Sequence, residues 1–127
     1  MKTFVLLSLL FMACKKGSSP NSGNNAQVKY EVKVTNTSNW TGNYLDATDA
    51  FTLVQSQPSN DWTVSFTNQI PSARYLQVQV MSITPVDPNS TVSAITTIYV
   101  NGSIVKSDTV SGYVEQITLP LSQYLLQ

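Results

Sequence analysis

The sequence predicts an all-β chain folded as an antiparallel β-sandwich, on three observations. From Val28 onward apolar and polar residues alternate with period two, which sends successive side chains to opposite faces of an extended strand. Turn-forming stretches recur between these runs, at Gln57-Pro58-Ser59-Asn60-Asp61, at Thr84 to Asn89, at Asn101-Gly102 and at Ser111-Gly112, where Pro presets φ and Asn, Asp and Gly accept unusual backbone angles. No segment keeps a helical apolar repeat over three turns, so a helix would have no face to bury.

Ahead of the strands lies a tripartite leader. Lys2 precedes an apolar run from Phe4 to Ala13, and Cys14 follows at once with Lys15 and Lys16 behind it. A charged start, an apolar stretch of about ten residues and a small residue before the cut make an export signal, whereas a membrane span needs about twenty. The segment Leu9-Leu10-Phe11-Met12-Ala13-Cys14 resembles the lipobox of bacterial lipoprotein precursors, with Phe11 where such boxes usually carry Leu and Met12 where a small residue is common. That resemblance implies that residues 1–13 are a signal peptide, that a lipid is attached to the Cys14 sulfur, and that the mature protein is held to a membrane. An ordinary thiol in the tail of a cleaved signal is the alternative reading.

Cys14 is the only cysteine, so no disulfide staples the fold and its core alone must hold it. Residues 15–27 carry no large apolar side chain. Together with Cys14 they form an expected flexible tether, residues 14–27, with a coil dimension on the order of 20 Å. Lys15-Lys16-Gly17 lacks the acidic residues that send lipoproteins to the cell exterior in some bacterial groups. The expected location is the cell envelope, lipid-anchored and facing the periplasm.

The sandwich itself is expected over residues 28–127, about 100 residues, a normal size for one domain. Val28, Tyr30, Val32 and Val34 share one face of the first strand, with Lys29, Glu31, Lys33 and Thr35 on the other. Trp40 to Asp46 and Ala50 to Gln55 alternate less regularly and read as two short strands joined through Ala47-Thr48-Asp49. Trp62, Val64 and Phe66 line one face of the next strand. In the run Arg74 to Ile83, Leu76, Val78 and Val80 oppose Tyr75, Gln77, Gln79 and Met81. Thr84 to Asn89 is expected to be an exposed loop.

Asn101-Gly102 between two β-rich runs predicts a type I′ hairpin, because both central residues need positive φ. Tyr113 to Leu119 reads as a final strand, ended by Pro120, which has no ladder donor. Beyond it Leu121, Tyr124, Leu125 and Leu126 form an apolar cluster. It either docks on the sandwich, along an edge, over an open end or as one helical turn, or it is itself an element that binds a partner.

Charge and chemistry narrow the function. Seven Lys plus Arg balance seven Asp plus Glu, and 11% of residues are charged, so the clustered basic surface that nucleic acid requires is missing. There is no His. With Cys14 assigned to acylation, Ser-His-Asp and Cys-His catalysis and His- or thiolate-bearing zinc sites are excluded. The carboxylates Glu31, Asp46, Asp49, Asp61, Asp87, Asp108 and Glu115 lie beside turns or on outward faces. Asp46 and Asp49 could share a cation, and solvated loop carboxylates are the simpler reading of them. No catalytic residue, cofactor site or metal site is expected, and the chain is not expected to be an enzyme.

The aromatic residues Trp40, Tyr44, Trp62, Tyr75, Tyr99, Tyr113 and Tyr124 allow a stacking platform, or a core in which Trp62 and either Tyr30 or Tyr99 fill the space between sheets. Asn36, Asn39, Asn89 and Asn101 open Asn-x-Ser/Thr tripeptides, which behind a bacterial leader read as by-products of a surface rich in Ser, Thr and Asn.

Ile98-Tyr99-Val100-Asn101-Gly102 with Lys106, then Ser111-Gly112-Tyr113, together with Tyr30-Glu31-Val32 and Trp62 to Thr67, resemble the small domains of the MmpS type. This resemblance covers most of residues 28–118. It implies an immunoglobulin-like sandwich of about seven strands and a role as accessory to an exporter of the RND class. Members of that family are usually held by a transmembrane helix rather than a lipid, and the segment Thr84 to Asn89 is longer than their usual turn. Two functions follow as expectations: a lipid-anchored extracytoplasmic binding or accessory module, with an envelope protein or exporter as partner, or a structural, self-associating envelope lipoprotein without a small ligand.

Overall fold

The computed structural model describes residues 25–57 and 60–127. The leader, most of the tether and Cys14 lie outside the described residues, as do Pro58 and Ser59 of the expected turn. Eight strands follow in order: β1 (Gln27–Thr35), β2 (Thr37–Leu45), β3 (Phe51–Gln57), β4 (Asp61–Thr67), β5 (Arg74–Pro85), β6 (Val92–Val100), β7 (Ser103–Gly112) and β8 (Leu121–Leu126). They form two four-stranded sheets, β4-β1-β6-β7 and β3-β2-β5-β8. Every neighbouring pair is antiparallel, so the molecule is the antiparallel β-sandwich that the alternation predicts.

The inward face of β1 supplies the centre of the core. Val28, Tyr30, Val32 and Val34 are buried against Leu76, Val78, Val80 and Ile83 of β5 across the sandwich and Ala94, Ile98 and Val100 of the neighbouring β6. Burying one such aliphatic side chain fully is worth about 1.5–3 kcal/mol, and this repeated gain replaces the missing disulfides. Strand order is the sandwich's own. In immunoglobulin constant domains the first two strands pair in one sheet; here β1 and β2 lie in opposite sheets. Asn36 makes that crossing in a single residue at φ 55°, a left-handed conformation that Asn tolerates better than most residues.

Asn36 also fastens the loop between β5 and β6. Its Nδ2 donates to the carbonyls of Asp87 at 3.1 Å and Thr91 at 3.2 Å, and its Oδ1 accepts from Asp87 N at 3.0 Å. Asn101 and Gly102 take φ 49° and 84°, the two positive values the hairpin between β6 and β7 requires. Asn101 Oδ1 accepts from Gln27 N at 2.9 Å, tying this turn to the start of β1.

Three sequence expectations are corrected. There are eight strands rather than about seven, because the C-terminal segment forms β8 along β5, from Arg74 opposite Leu126 to Gln79 opposite Leu121, and not a helical turn. Tyr113 to Leu119 is not a strand: β7 runs on to Gly112, and Gln116 N then closes a turn on Tyr113 O. Pro120 precedes a strand instead of ending one; it is buried, and its carbonyl accepts from Val80 N at 3.1 Å, so only the missing donor of Pro limits where it can sit. Ala26 is buried and β1 opens at Gln27.

The aromatic assignment also changes. Trp40 is wholly buried while Trp62, on the edge strand β4, is partly so. The reason lies two residues on from Trp40: the position of a Cβ on Gly42 would lie 3.1 Å from the indole, so the absence of a side chain there makes room for the ring. Trp40, Trp62, Tyr44, Tyr30 and Phe66 then follow one another at centroid distances of 5.4–5.9 Å, within the range of favourable tilted and edge-to-face aromatic pairs. Tyr99 does not fill the interior. It lies on the outer face of its sheet, under Lys29 Nζ at 3.9 Å from the ring centroid, and its hydroxyl donates to Glu31 at 3.2 Å.

Candidate functional site

Strand direction gives the sandwich two distinct ends. At one end lie Ala26, where the N-terminal segment leaves, the β2–β3 turn, the β4–β5 connection and the start of β5. Arg74 joins them: Nη1 donates to Asp46 O at 2.7 Å and to Asn68 Oδ1 at 3.2 Å, Nε to Tyr75 O at 3.1 Å, and Nη2 is 3.4 Å from Asp49 Oδ1. Asn68 N in turn donates to Ala26 O at 2.8 Å. Tyr30 adds a hydroxyl bond to Leu45 O at 2.8 Å, and burial raises its pKa far above the ordinary phenol value.

Asp46 and Asp49, the pair considered for a cation, are separately engaged. Asp46 Oδ1 accepts from Thr48 Oγ1 and N at 2.8 Å and from Ala50 N at 3.1 Å; these bonds, the Thr48 hydroxyl foremost, hold its pKa low. Asp49 faces Arg74. Among the described residues no three Asp, Glu, Cys or His side chains gather to hold a metal ion. The Arg74 and Asn68 bonds close this end of the sandwich.

The opposite end holds an open cavity of about 530 Å³ between the β5–β6 and β7–β8 connections, with Pro85, Pro88 and Asn89 on one side and Tyr113, Glu115 and Gln116 on the other. Its lining has one carboxylate and no basic side chain.

The most unusual surface is the outer face of the sheet β3-β2-β5-β8. Arg74 is the only charged residue in its four strands, and it is buried. The strands of the other sheet carry Lys29, Glu31, Lys33, Asp61, Lys106 and Asp108. Of the nine large apolar side chains exposed among the described residues, six stand on strands of the uncharged sheet: Phe51 and Leu53 on β3, Tyr75 and Met81 on β5, and Leu121 and Leu125 on β8. Phe51 and Leu53, in the first half of β3, are 64% and 61% exposed.

Register sets these side chains in rows. Leu53 lies opposite Asn43, Asn43 opposite Gln79, and Gln79 opposite Leu121, so one row crosses the sheet as Leu, Asn, Gln, Leu. A second row pairs Tyr75 with Leu125. In the first row Asn43 is poorly satisfied: Nδ2 donates at 3.4 Å to the Met81 sulfur, a weak acceptor, and Oδ1 has no partner.

The aromatic-platform reading of the sequence does not describe this face. Trp40, Tyr44 and Trp62 point inward, and of the Trp and Tyr residues considered for a platform only Tyr75 belongs to it. Period-two alternation identifies one apolar side per strand and is silent on this face. The informative signal was apolar residues on both sides, as with Phe51, Leu53 and Val54, in strands without charge. No protein-family model and no curated protein matches the chain.

Proposed function

We propose that this protein is a lipid-anchored interaction module of the bacterial envelope, which acts by presenting the outer face of β3-β2-β5-β8 to a protein partner. The observation that carries this reading is the coincidence, on one sheet face, of six exposed large apolar side chains with no exposed charge in its strands. Large apolar side chains exposed together on one face of a small domain mark a contact surface, and depletion of charge is the compositional mark of an interface centre. The lipobox resemblance supports the anchor. With the N-terminal segment leaving beside Ala26, a tether on the order of 20 Å holds the domain near a membrane while the sheet face stays accessible from the side. An exporter accessory, the role implied by the MmpS resemblance, is one form that such a module takes.

Photo-reactive residues tested in the intact envelope decide the matter. Placed at Leu53, Gln79 or Leu125 they are expected to give discrete protein adducts; at Lys33 or Thr63, on the other sheet, they are expected to give none. Adducts of equal yield from both sheets, or none from either, would overturn the proposal.

A further inference from the structure

We infer that the occupant of the uncharged face is a second copy of this chain, so that the protein is an isologous dimer packed sheet on sheet; this inference rests on the reading of the face as an interaction surface. Two-fold symmetry places each patch against itself, with every side chain entering the interface twice. A charged face meets its own charge in such a contact, and an uncharged one has no such repulsion to overcome. The other sheet, with charges along β1, β4 and β7, lacks that property.

Size agrees with the inference. Four strands about 4.8 Å apart and averaging about 29 Å in length cover roughly 500 Å², so two facing copies bury about 1,000 Å², the lower bound for a specific interface.

The position of the tether selects the symmetry axis. Sheets packed face to face at about 10 Å admit a two-fold axis in the interface plane, either along the strands or across them. Only an axis along the strands puts both Ala26 ends, and so both tethers, on the same side, where one membrane can hold them. That axis, running between β2 and β5, sets β2 against β5 of the second copy and β3 against β8. In the central row Leu53 then meets Leu121 of the second copy, and Asn43 meets its Gln79. Asn43 and Gln79 thus place polar side chains at the centre of the row, while the leucines close it at each side.

The test is the mass of the purified full chain in detergent as a function of concentration, joined to the identity of the photo-adducts at Gln79. A dimer is expected for the parent and for Thr63→Lys, with self-adducts at Gln79. Leu53→Lys, at a well exposed position, is expected to weaken dimerisation by at least about tenfold, equivalent to ~1.4 kcal/mol, with an unchanged circular dichroism spectrum. Leu53→Lys combined with Leu121→Glu is expected to restore it, because these positions meet only across the proposed axis. A dimer indifferent to Leu53→Lys, or a double variant without rescue, overturns this interface. A monomer at all concentrations whose Gln79 adducts contain another protein overturns the dimer and leaves the interaction surface standing. A monomer without adducts overturns both.

Discussion

Thr96 Oγ1 and Ser122 Oγ lie 2.8 Å apart with both residues fully buried, and the Ser122 hydroxyl also donates to the Thr96 carbonyl at 3.0 Å. The pair joins β6 of one sheet to β8 of the other, so a polar bridge crosses the interior.

Removing one hydroxyl leaves the other buried and unpaired, at a cost of about 1–3 kcal/mol. Ser122→Ala is therefore expected to lower the urea midpoint clearly. Thr96→Val combined with Ser122→Ala is expected to recover part of the loss, since removing both polar groups is far less costly than orphaning one. Equal midpoints for Ser122→Ala and the parent would show that the bridge contributes nothing.

Two glycines predict opposite kinds of damage. At Gly42 a Cβ would collide with the Gln79 carbonyl and press on the Trp40 indole, so Gly42→Ala is expected to cost about 3 kcal/mol through overpacking. At Gly102 space is open, but φ is +84°; Gly102→Val is expected to cost on the order of 1–3 kcal/mol through backbone strain alone, and Gly102→Asn less. Denaturant midpoints of the three variants test the ranking. A Gly42→Ala protein as stable as the parent would show that β2 and β5 can separate freely.

Much of the fold was legible where an inward strand face is apolar at every second residue. Val28, Tyr30, Val32 and Val34 announce β1, and Asn101-Gly102 announces its hairpin through required backbone angles. Pro120 misled because proline's lost donor limits a strand interior but not a strand entrance. Asn36 was legible only as a surface tripeptide, since its role depends on carbonyls more than fifty residues away. The uncharged face was invisible for a related reason: it exists only when β2, β3, β5 and β8 are brought side by side, and no single strand carries it.

Acid is expected to destabilise the domain through its turns. Asp46 is held at a low pKa by the Thr48 hydroxyl and the amides of Thr48 and Ala50, and Asp87 by the Ser90 hydroxyl and Asn89 N. A depressed folded pKa means that the stabilisation is present above the ordinary carboxylate pKa of 3.8 and is lost as pH falls through the folded value. Thermal midpoints measured from pH 5 down to about 2 are expected to fall, and to fall less steeply in Asp46→Asn with Asp87→Asn. Parallel curves for the two proteins would exclude this origin.

Cys14→Ser is expected to abolish membrane retention, because it removes the proposed acyl attachment point and one bacterial lipid anchor is what the lipobox resemblance supplies. Among the described residues no helix is long and apolar enough to span a bilayer. Fractionation of the variant after a salt wash checks this, and a Cys14→Ser protein still found with membranes would show that something other than the acyl chain holds it.

Ending the chain at Pro120 is expected to do more than remove six strand residues. Leu126 and Ser122 are fully buried, so their loss opens the core beside Leu76 and Val78 and leaves the Thr96 hydroxyl without its partner. It also bares the edge of β5, a twelve-residue strand whose outward row from Tyr75 to Met81 carries no charge or proline to discourage pairing with another chain. Two measurements separate these effects. Thermal stability is expected to drop at all concentrations, from the lost core packing, while aggregation is expected to appear only as concentration rises, from the exposed edge. Restoring residues 121–127 as a separate peptide is expected to reverse the second effect by re-covering β5, and a truncated protein that stays both stable and monomeric would show that β8 is dispensable to the sandwich.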